Sequence, residues 1–314
     1  MRRSPRARAE GRIFLVDTPQ APPETSRQRW RPSALIRGSV ALHLCAATLV
    51  IARPRLWPWA LSAVVADHLL LTAAGLWPRS HLLGPNWTRL PALAPGAADG
   101  VDARGAATPA AAVAITIDDG PDPEATPRVL DLLAEHDARA TFFCIGERVA
   151  RHPALARAIA ARGHEIGNHS YRHLMRFSLL GPRALGAEIA RTQEVIGAVT
   201  GEVARFFRAP AGLRNPFLEP VLARANLQLV SWTRRGFDTV NGHADRVLGS
   251  LTHGLRAGDI LLLHDGHAAR SAAGAPVIHE VLPRLLAAIG AARLTPVTLR
   301  AALARAGPRA AHPT

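Results

Sequence analysis

From about residue 112 to residue 300, short apolar runs alternate with longer stretches whose apolar positions recur at helical spacing. The runs predict strands at Val113–Ile117, Ala140–Ile145, His164–Gly167, Arg205–Arg208, Gln228–Trp232, Asp259–Leu263 and Pro296–Leu299. Helical patterns fall between them: Ala125–His136, Glu147–Ala161, Pro182–Val199, Pro216–Ala225, Ala244–Arg256 and Pro276–Ala291. Several open on Pro, which the first helical turn tolerates because its N–H would be unpaired anyway. Such alternation predicts parallel strands wrapped by helices. Seven strand-helix units favour a barrel or partial barrel over an open sheet, with function expected at the carboxyl ends of the strands.

The N-terminal third has a different pattern. Pro58–Trp77 is apolar over a bilayer's length, with Asp67 and His68 at its centre and Trp57, Trp59 and Trp77 at its ends. Gly38–Ala52 reaches that length only if it extends back through Arg37 to Pro32. Together they predict a helical membrane hairpin over 33–78, the competing reading being two helices buried against a soluble domain. A cleaved signal peptide fits badly, because the first apolar stretch starts late and a second follows it. Residues 1–32 lack periodicity and predict a basic disordered tail, 79–110 a linker rich in Pro, Ala and Gly, and 303–314 a second disordered tail. Nine arginines lie between Arg2 and Arg37, against Arg53 and Arg55 between the arms. The positive-inside rule therefore places the N-terminus in the cytoplasm. Two spans would return the large domain there, and one span would leave it outside. The expected location is a membrane, the bacterial inner membrane in particular.

Charge adds little to this. All 38 basic residues are Arg, the net charge is +14, and the Ala- and Gly-rich composition makes this a matter of base composition first. No helix-turn-helix, zinc-finger or RNA-binding signature accompanies it, so nucleic acid is not expected as a partner. Cys45 and Cys144 fall in an apolar helix and a strand, so no disulfide framework is implied.

The chemistry sits where the strands end. Asp118-Asp119-Gly120-Pro121 follows the first strand, Asn168-His169 with His173 the third, Arg208-Ala209-Pro210 the fourth, Trp232 and Asp238 the fifth, and His264-Asp265 the sixth. Adjacent carboxylates raise each other's pKa and resist burial, so a neighbouring cation would give the second acid a purpose. His169 and His173, four apart, are expected on one side of a helical turn. One Asp with two His suits Zn²⁺ or a similar divalent ion, and only three protein ligands leave room for water and substrate. Adjacent strand residues face opposite ways, so one Asp is expected to bind metal while the other takes a proton. His264, on another strand, can supply a proton to a leaving group. Base, metal and acid together describe metal-assisted hydrolysis.

Thr116-Ile117-Asp118-Asp119-Gly120-Pro121, His169-Ser170-Tyr171-Arg172-His173, Arg208-Ala209-Pro210-Ala211-Gly212 and Leu261-Leu262-Leu263-His264-Asp265 resemble, in order, the motifs of the polysaccharide deacetylase family. This is the NodB-homology domain, or carbohydrate esterase family 4. The resemblance covers roughly residues 110 to 300 and implies an α/β fold, a distorted seven-stranded (β/α) barrel of NodB type over 111–302. It implies Asp118 as general base, Asp119, His169 and His173 as metal ligands, and Arg208 as the residue orienting the base. It also implies the backbone N–H near Ala211 as an oxyanion donor, His264 as general acid, and the leucines around Leu262 as the wall for the acetyl methyl. The implied cofactor is a divalent metal, Zn first, with Co, Mn, Ni or Fe as others. The implied substrate is an N-acetylated glycan: polysaccharide, peptidoglycan or lipid-linked.

The chain departs from the family at Trp232-Thr233-Arg234-Arg235-Gly236-Phe237-Asp238, which keeps one Asp of a usual pair and lacks the Trp after it. Asp238 is the candidate partner of His264. Ala211 replaces a usual second Pro, implying a reshaped groove. The remaining histidines, His267 among them, are read as non-ligands, and Arg234-Arg235 as a solvated or anion-facing surface. The competing functions are a non-catalytic carbohydrate-binding relative and a two-His-one-carboxylate Fe(II) enzyme.

Overall fold

A computed structural model describes residues 30–92 and 111–306. The expectations for the basic tail, most of the linker and the last residues of the C-terminal tail lie outside the described residues.

Two antiparallel helices come first, α1 (Ala34–Ala52) and α2 (Trp57–Leu76). The first starts four residues before the predicted stretch, because the Ser33 hydroxyl caps it by accepting from the Ile36 N–H. Both are long and apolar enough to cross a membrane. Large apolar side chains such as Leu44, Trp59, Leu69 and Leu70 stay exposed on them. Their open ends are tied together, since the Ser33 hydroxyl donates to the Leu82 carbonyl at 2.7 Å.

The large domain is the predicted strand-helix alternation. Its strands are β1 (Ala112–Asp118), β2 (Thr141–Cys144), β3 (Glu165–Asn168), β4 (Phe206–Phe207), β5 (Gln228–Leu229), β6 (Arg234–Arg235), β7 (Ile260–His264) and β8 (Thr295–Pro296). The order is β5-β4-β3-β2-β1-β7-β6 with every pairing parallel, and β8 adds to the start of β1. The seven-strand path is the curled, incompletely closed sheet of a NodB-type (β/α) barrel. Strand β6 was not predicted: two arginines carry no strand signal, and pairing with β7 alone makes them one. Helices α3 (Thr126–Glu135), α6 (Pro182–Thr200), α7 (Leu218–Arg224), α8 (Ala244–Thr252) and α9 (Ile278–Ala291) follow the expected positions. The predicted Glu147–Ala161 helix is broken into α4 (Gly146–Arg151) and α5 (Pro153–Ala161), because Pro153 disfavours helical backbone at His152. A final helix, α10 (Leu299–Ala306), runs past the predicted domain end at 302.

Alternation along the strands divides the core in two. Ile115, Ile117, Phe142, Leu261 and Leu263 pack outward under the helices. Ala114, Phe143, Phe206, Val230, Trp232 and Leu262 fill the interior. Each fully buried Ile, Leu or Phe contributes about 1.5–3 kcal/mol.

The linker was placed too early. Trp87 is buried in the interior cluster, its N–H donating to the Leu229 carbonyl and its carbonyl accepting from Ser231 N–H, at 3.0 and 2.8 Å. The Leu90 N–H then donates to Gly258 O at 2.8 Å, and Arg89 reaches the buried Asp259 at 2.5 Å. Residues 87–90 thus bridge the open side of the curled sheet. Arg234 pairs with the same Asp259, so it is not a solvated residue. Cys45 and Cys144 are free.

Candidate active site

The β1–β7 register sets Asp118 directly opposite His264, at the carboxyl ends of neighbouring strands. Strand β3 delivers Asn168 and His169 beside them, and the segment after β4 delivers Arg208. Parallel pairing aligns all these ends, so residues up to 146 positions apart meet on one face.

Asp118 is held by a buried cation. Arg208 is 1 % exposed, and its Nη1 donates to Asp118 Oδ1 at 2.7 Å and to Thr116 Oγ1 at 2.8 Å. Its Nε and Nη2 donate to the carbonyls of Val230 and Ser231, and its plane lies 4.2 Å from the Phe143 ring centre. Each end of the guanidinium is therefore committed, which fixes Asp118 and leaves its Oδ2 facing His169 Nε2 at 3.8 Å.

Asp119 faces the same imidazole, contrary to the expectation that the two acids diverge. Strand β1 ends at Asp118, and Asp119 adopts a left-handed backbone, φ 73°. That turn brings Asp119 Oδ1 to 3.3 Å from both His169 Nε2 and His173 Nε2. The two histidines are not on a helical turn either. Their segment is a loop in which Ser170 and His173 take φ of 61° and 50°. Buried Glu188 of α6 pins this loop, its carboxylate accepting from the Tyr171 and Arg172 N–H groups and from the Arg172 side chain.

The donor set suits a cation. His169 Nδ1–H donates to the Arg208 carbonyl at 2.8 Å; burial opposes a charge on this imidazole, but Asp118 and Asp119 outweigh it and raise the pKa, so Nε2 carries a lone pair once its proton leaves. That lone pair looks at Asp119 Oδ1, a buried oxygen with no hydrogen-bond partner. Acceptor facing acceptor at 3.3 Å calls for a positive charge between them. One atom each from Asp119, His169 and His173 lie within 4.8 Å of one another. Burial pushes the His173 pKa down, helped by His169, to about 4, so its lone pair is available at neutral pH. Burial opposes the Asp119 charge as well, but the surrounding His169, His267 and His173 more than offset it and hold the carboxyl well below the usual range. The mutual rise expected for adjacent acids is thus reversed at Asp119.

His264 faces this group from β7. Its Nδ1–H donates to Asp238 Oδ1 at 2.8 Å, and its backbone N–H donates to Asp238 Oδ2 at 2.7 Å. Burial alone would lower the His264 pKa, but the fully buried Asp238 beside it outweighs this and raises it. An imidazole with raised pKa and Nε2 turned to the site is equipped to give up a proton there. Ala211 is exposed with φ 53°, which turns the backbone after Pro210. Leu262 is 1 % exposed and packs in the interior cluster with Trp232.

Sequence reasoning missed His267. Its Nδ1 lies 3.1 Å from Asp119 Oδ2, and its Nε2 lies 3.2 Å from Arg148 Nη2. A guanidinium only donates, so Nε2 accepts and Nδ1–H donates to the carboxylate. Asp119 is thereby left with Oδ1 to offer. A His three residues beyond His264 was the available signal, but nothing in one sequence separates it from a surface histidine. Buried Asp265, 2.5 Å from Thr126 Oγ1, was also missed as a support; burial raises its pKa to about 7. Glu188 left no sequence signal at all.

A sequence model of the polysaccharide deacetylase family matches residues 105–230. A peptidoglycan-N-acetylglucosamine deacetylase of Bacillus cereus is 38 % identical over 175 residues, 55 % of this chain and 81 % of that protein. A chitooligosaccharide deacetylase of Bradyrhizobium is 38 % identical over 156 residues, 49 % of this chain and 71 % of the relative. Among solved structures, a family 4 carbohydrate esterase from Streptomyces lividans in complex with acetate superposes with a TM-score of 0.54 at 31 % identity, covering 59 % of this chain and 91 % of that one. The helical hairpin lies outside the family match.

Proposed function

The chain belongs to the polysaccharide deacetylase family, and on that premise we propose that it is a metal-dependent hydrolase removing N-acetyl, or a similar small acyl group, from an amino sugar. The observation that carries this reading is the convergence, at one end of the sheet, of an Arg-held carboxylate, a three-donor cation site and an Asp-held imidazole.

The group Asp119, His169 and His173 would hold is a divalent cation, Zn²⁺ by the chemistry of its donors. When bound, it would polarise the acyl carbonyl and make a water more acidic. Asp118 Oδ2 takes the proton of the attacking water, because Arg208 occupies Oδ1 and keeps the side chain in place. The carbonyl oxygen turns anionic as water adds, and the backbone N–H of Ala211 offers it a hydrogen bond. His264, protonated more readily because of Asp238, then gives its Nε2 proton to the amine nitrogen as the C–N bond breaks. The acyl group leaves as a carboxylic acid and the sugar keeps a free amine. Leu262, interior and two residues before His264, underlies the acyl end of the site. Residues 33–78 serve as the membrane anchor and 111–306 as the catalytic unit.

The test is acetate release by the metal-loaded full-length protein in detergent, compared with Asp118→Asn. Loss of a general base should lower kcat about 10²–10⁴-fold while leaving the bound metal. Full activity in the Asn variant would refute the role assigned to Asp118, and no acetate release from the wild type would point to the carbohydrate-binding or Fe(II) readings.

A further inference from the structure

Resting on the deacetylase reading, we infer that the acylated amino sugar is presented on a lipid (di)phosphate carrier at the bilayer surface, and that Arg235 receives the phosphate.

The end of α2 is part of the wall of the site. The Arg214 N–H donates to the Gly75 carbonyl at 3.1 Å, and a Cβ at Gly75 would lie 2.2 Å from the Arg214 carbonyl oxygen. Only glycine permits that contact between helix and domain backbones. Three residues on, Pro78 packs against Gly212, and its carbonyl accepts from the Ser231 hydroxyl at 2.6 Å. Gly212 in turn meets Trp232, which faces Arg208, the residue holding Asp118. Trp77, 59 % exposed at the end of the apolar helix, marks where a membrane surface would lie. The candidate site therefore sits a few side chains from the headgroup level. A long soluble polymer has no need of such a fixed approach, whereas a sugar whose anchor is in the same bilayer does.

The charge at this mouth fits a phosphate. Arg235 pairs in register with Leu262, two residues before His264. Its guanidinium lies 5.5 Å from the Trp232 ring centre and 5.0 Å from that of Phe237, itself half exposed. Among the described residues no carboxylate pairs with it, and its buried Nε has no partner. A cation fixed by aromatic stacking and lacking a counter-ion is built for an anion, and phosphate matches its planar donors. Arg79, whose Nη1 donates to the Thr233 carbonyl at 3.3 Å, adds a second positive charge at the same rim. The arginine-rich side of the hairpin also carries the domain, which puts it in the cytoplasm by the positive-inside rule. There a lipid-linked sugar precursor is available and an assembled wall polymer is not.

The experiment uses the full chain in lipid vesicles, loaded with zinc, and measures acetate release. Three substrates carry the same N-acetylglucosamine: as a polyprenyl diphosphate in the bilayer, as its soluble 1-phosphate, and as chitotetraose. The lipid-linked form should exceed both others in kcat/KM by about tenfold or more, and Arg235→Gln should raise its KM about tenfold while kcat holds, the scale of one lost charge-assisted contact. Chitotetraose turned over as fast as the lipid-linked form would overturn the inference and leave the deacetylase reading standing. Equal rates on the soluble phosphate would overturn the carrier lipid, and an unchanged KM in Arg235→Gln would overturn the role of Arg235. No acetate from any of the three, with zinc bound, would overturn both the inference and the reading beneath it.

Discussion

Among the described residues the same donor set occurs twice, and one of the two copies is organised as a site. Asp119, His169 and His173 cluster at the strand ends, and His43, Asp67 and His68 cluster between α1 and α2. In the hairpin the polar groups satisfy one another. The Ser39 hydroxyl donates to Asp67 Oδ2 at 2.7 Å, His43 Nδ1–H donates to the Ser39 carbonyl at 2.8 Å, and His43 and His68 meet through their Nε2 atoms at 3.2 Å. That is a polar lock joining two apolar helices, where unpaired groups would be costly in hydrocarbon. In the barrel the partners lie one shell further out. Arg208 O fixes His169, Arg148 fixes His267, and His267 fixes Asp119, while Asp119 Oδ1 stays unpaired. The residues that hold the donors, more than the donors themselves, make the difference.

The sharpest way to break this comparison is to remove the matching carboxylate from each cluster. Asp119→Ala should abolish tight binding of one divalent ion and lower acetate release about 10³-fold or more. Asp67→Ala should leave both unchanged, as read by metal analysis and activity in detergent. A second equivalent of tightly bound metal that Asp67→Ala removes would show that the clusters are alike after all.

A smaller effect tests the supports. His267→Ala should weaken metal binding by about 10–100-fold without touching a ligand, the usual scale for a partner behind a metal-binding carboxylate. Calorimetric titration with zinc measures it, and an unchanged affinity would remove His267 from the site.

The smallest effect concerns an imidazole with no carboxylate at all. His164 is buried beside Phe142 and accepts the Ala140 N–H through Nδ1. Burial, with Arg139 and Arg162 nearby, lowers its pKa from 6.5 to about 4. The unfolded chain therefore binds more protons than the folded one between these values. The stability that His164 contributes as a neutral group is complete above about pH 6.5 and is lost as pH falls toward 4. Denaturant titration of wild type and His164→Gln at pH 7 and pH 4.5 should differ by about 1–2 kcal/mol in pH dependence. Parallel pH profiles would contradict the assignment.

Much of this was legible in the chain. Buried parallel strands write themselves as apolar runs, so seven of the eight strands and most helices could be read in order. Each motif also fell at a strand's carboxyl end, which is enough to gather Asp118, Asp119, His169, His173, Arg208 and His264. What could not be read were features set by partners distant in sequence. Arg234 and Arg235 became a strand only through β7, and Trp87 became core only by bridging β5. The left-handed turn at Asp119 overrode the alternation that should have separated the two acids.

The sequence by itself determined the fold class, the family and which residue types meet, because hydrophobic periodicity and local turn chemistry act over a few residues. Tertiary structure alone decided which oxygen of each carboxylate is free, which nitrogen of each imidazole carries the proton, and that α2 ends against the site. Those depend on the partner each atom finds across the fold, and a partner 39 or 148 residues away leaves no mark on the chain between.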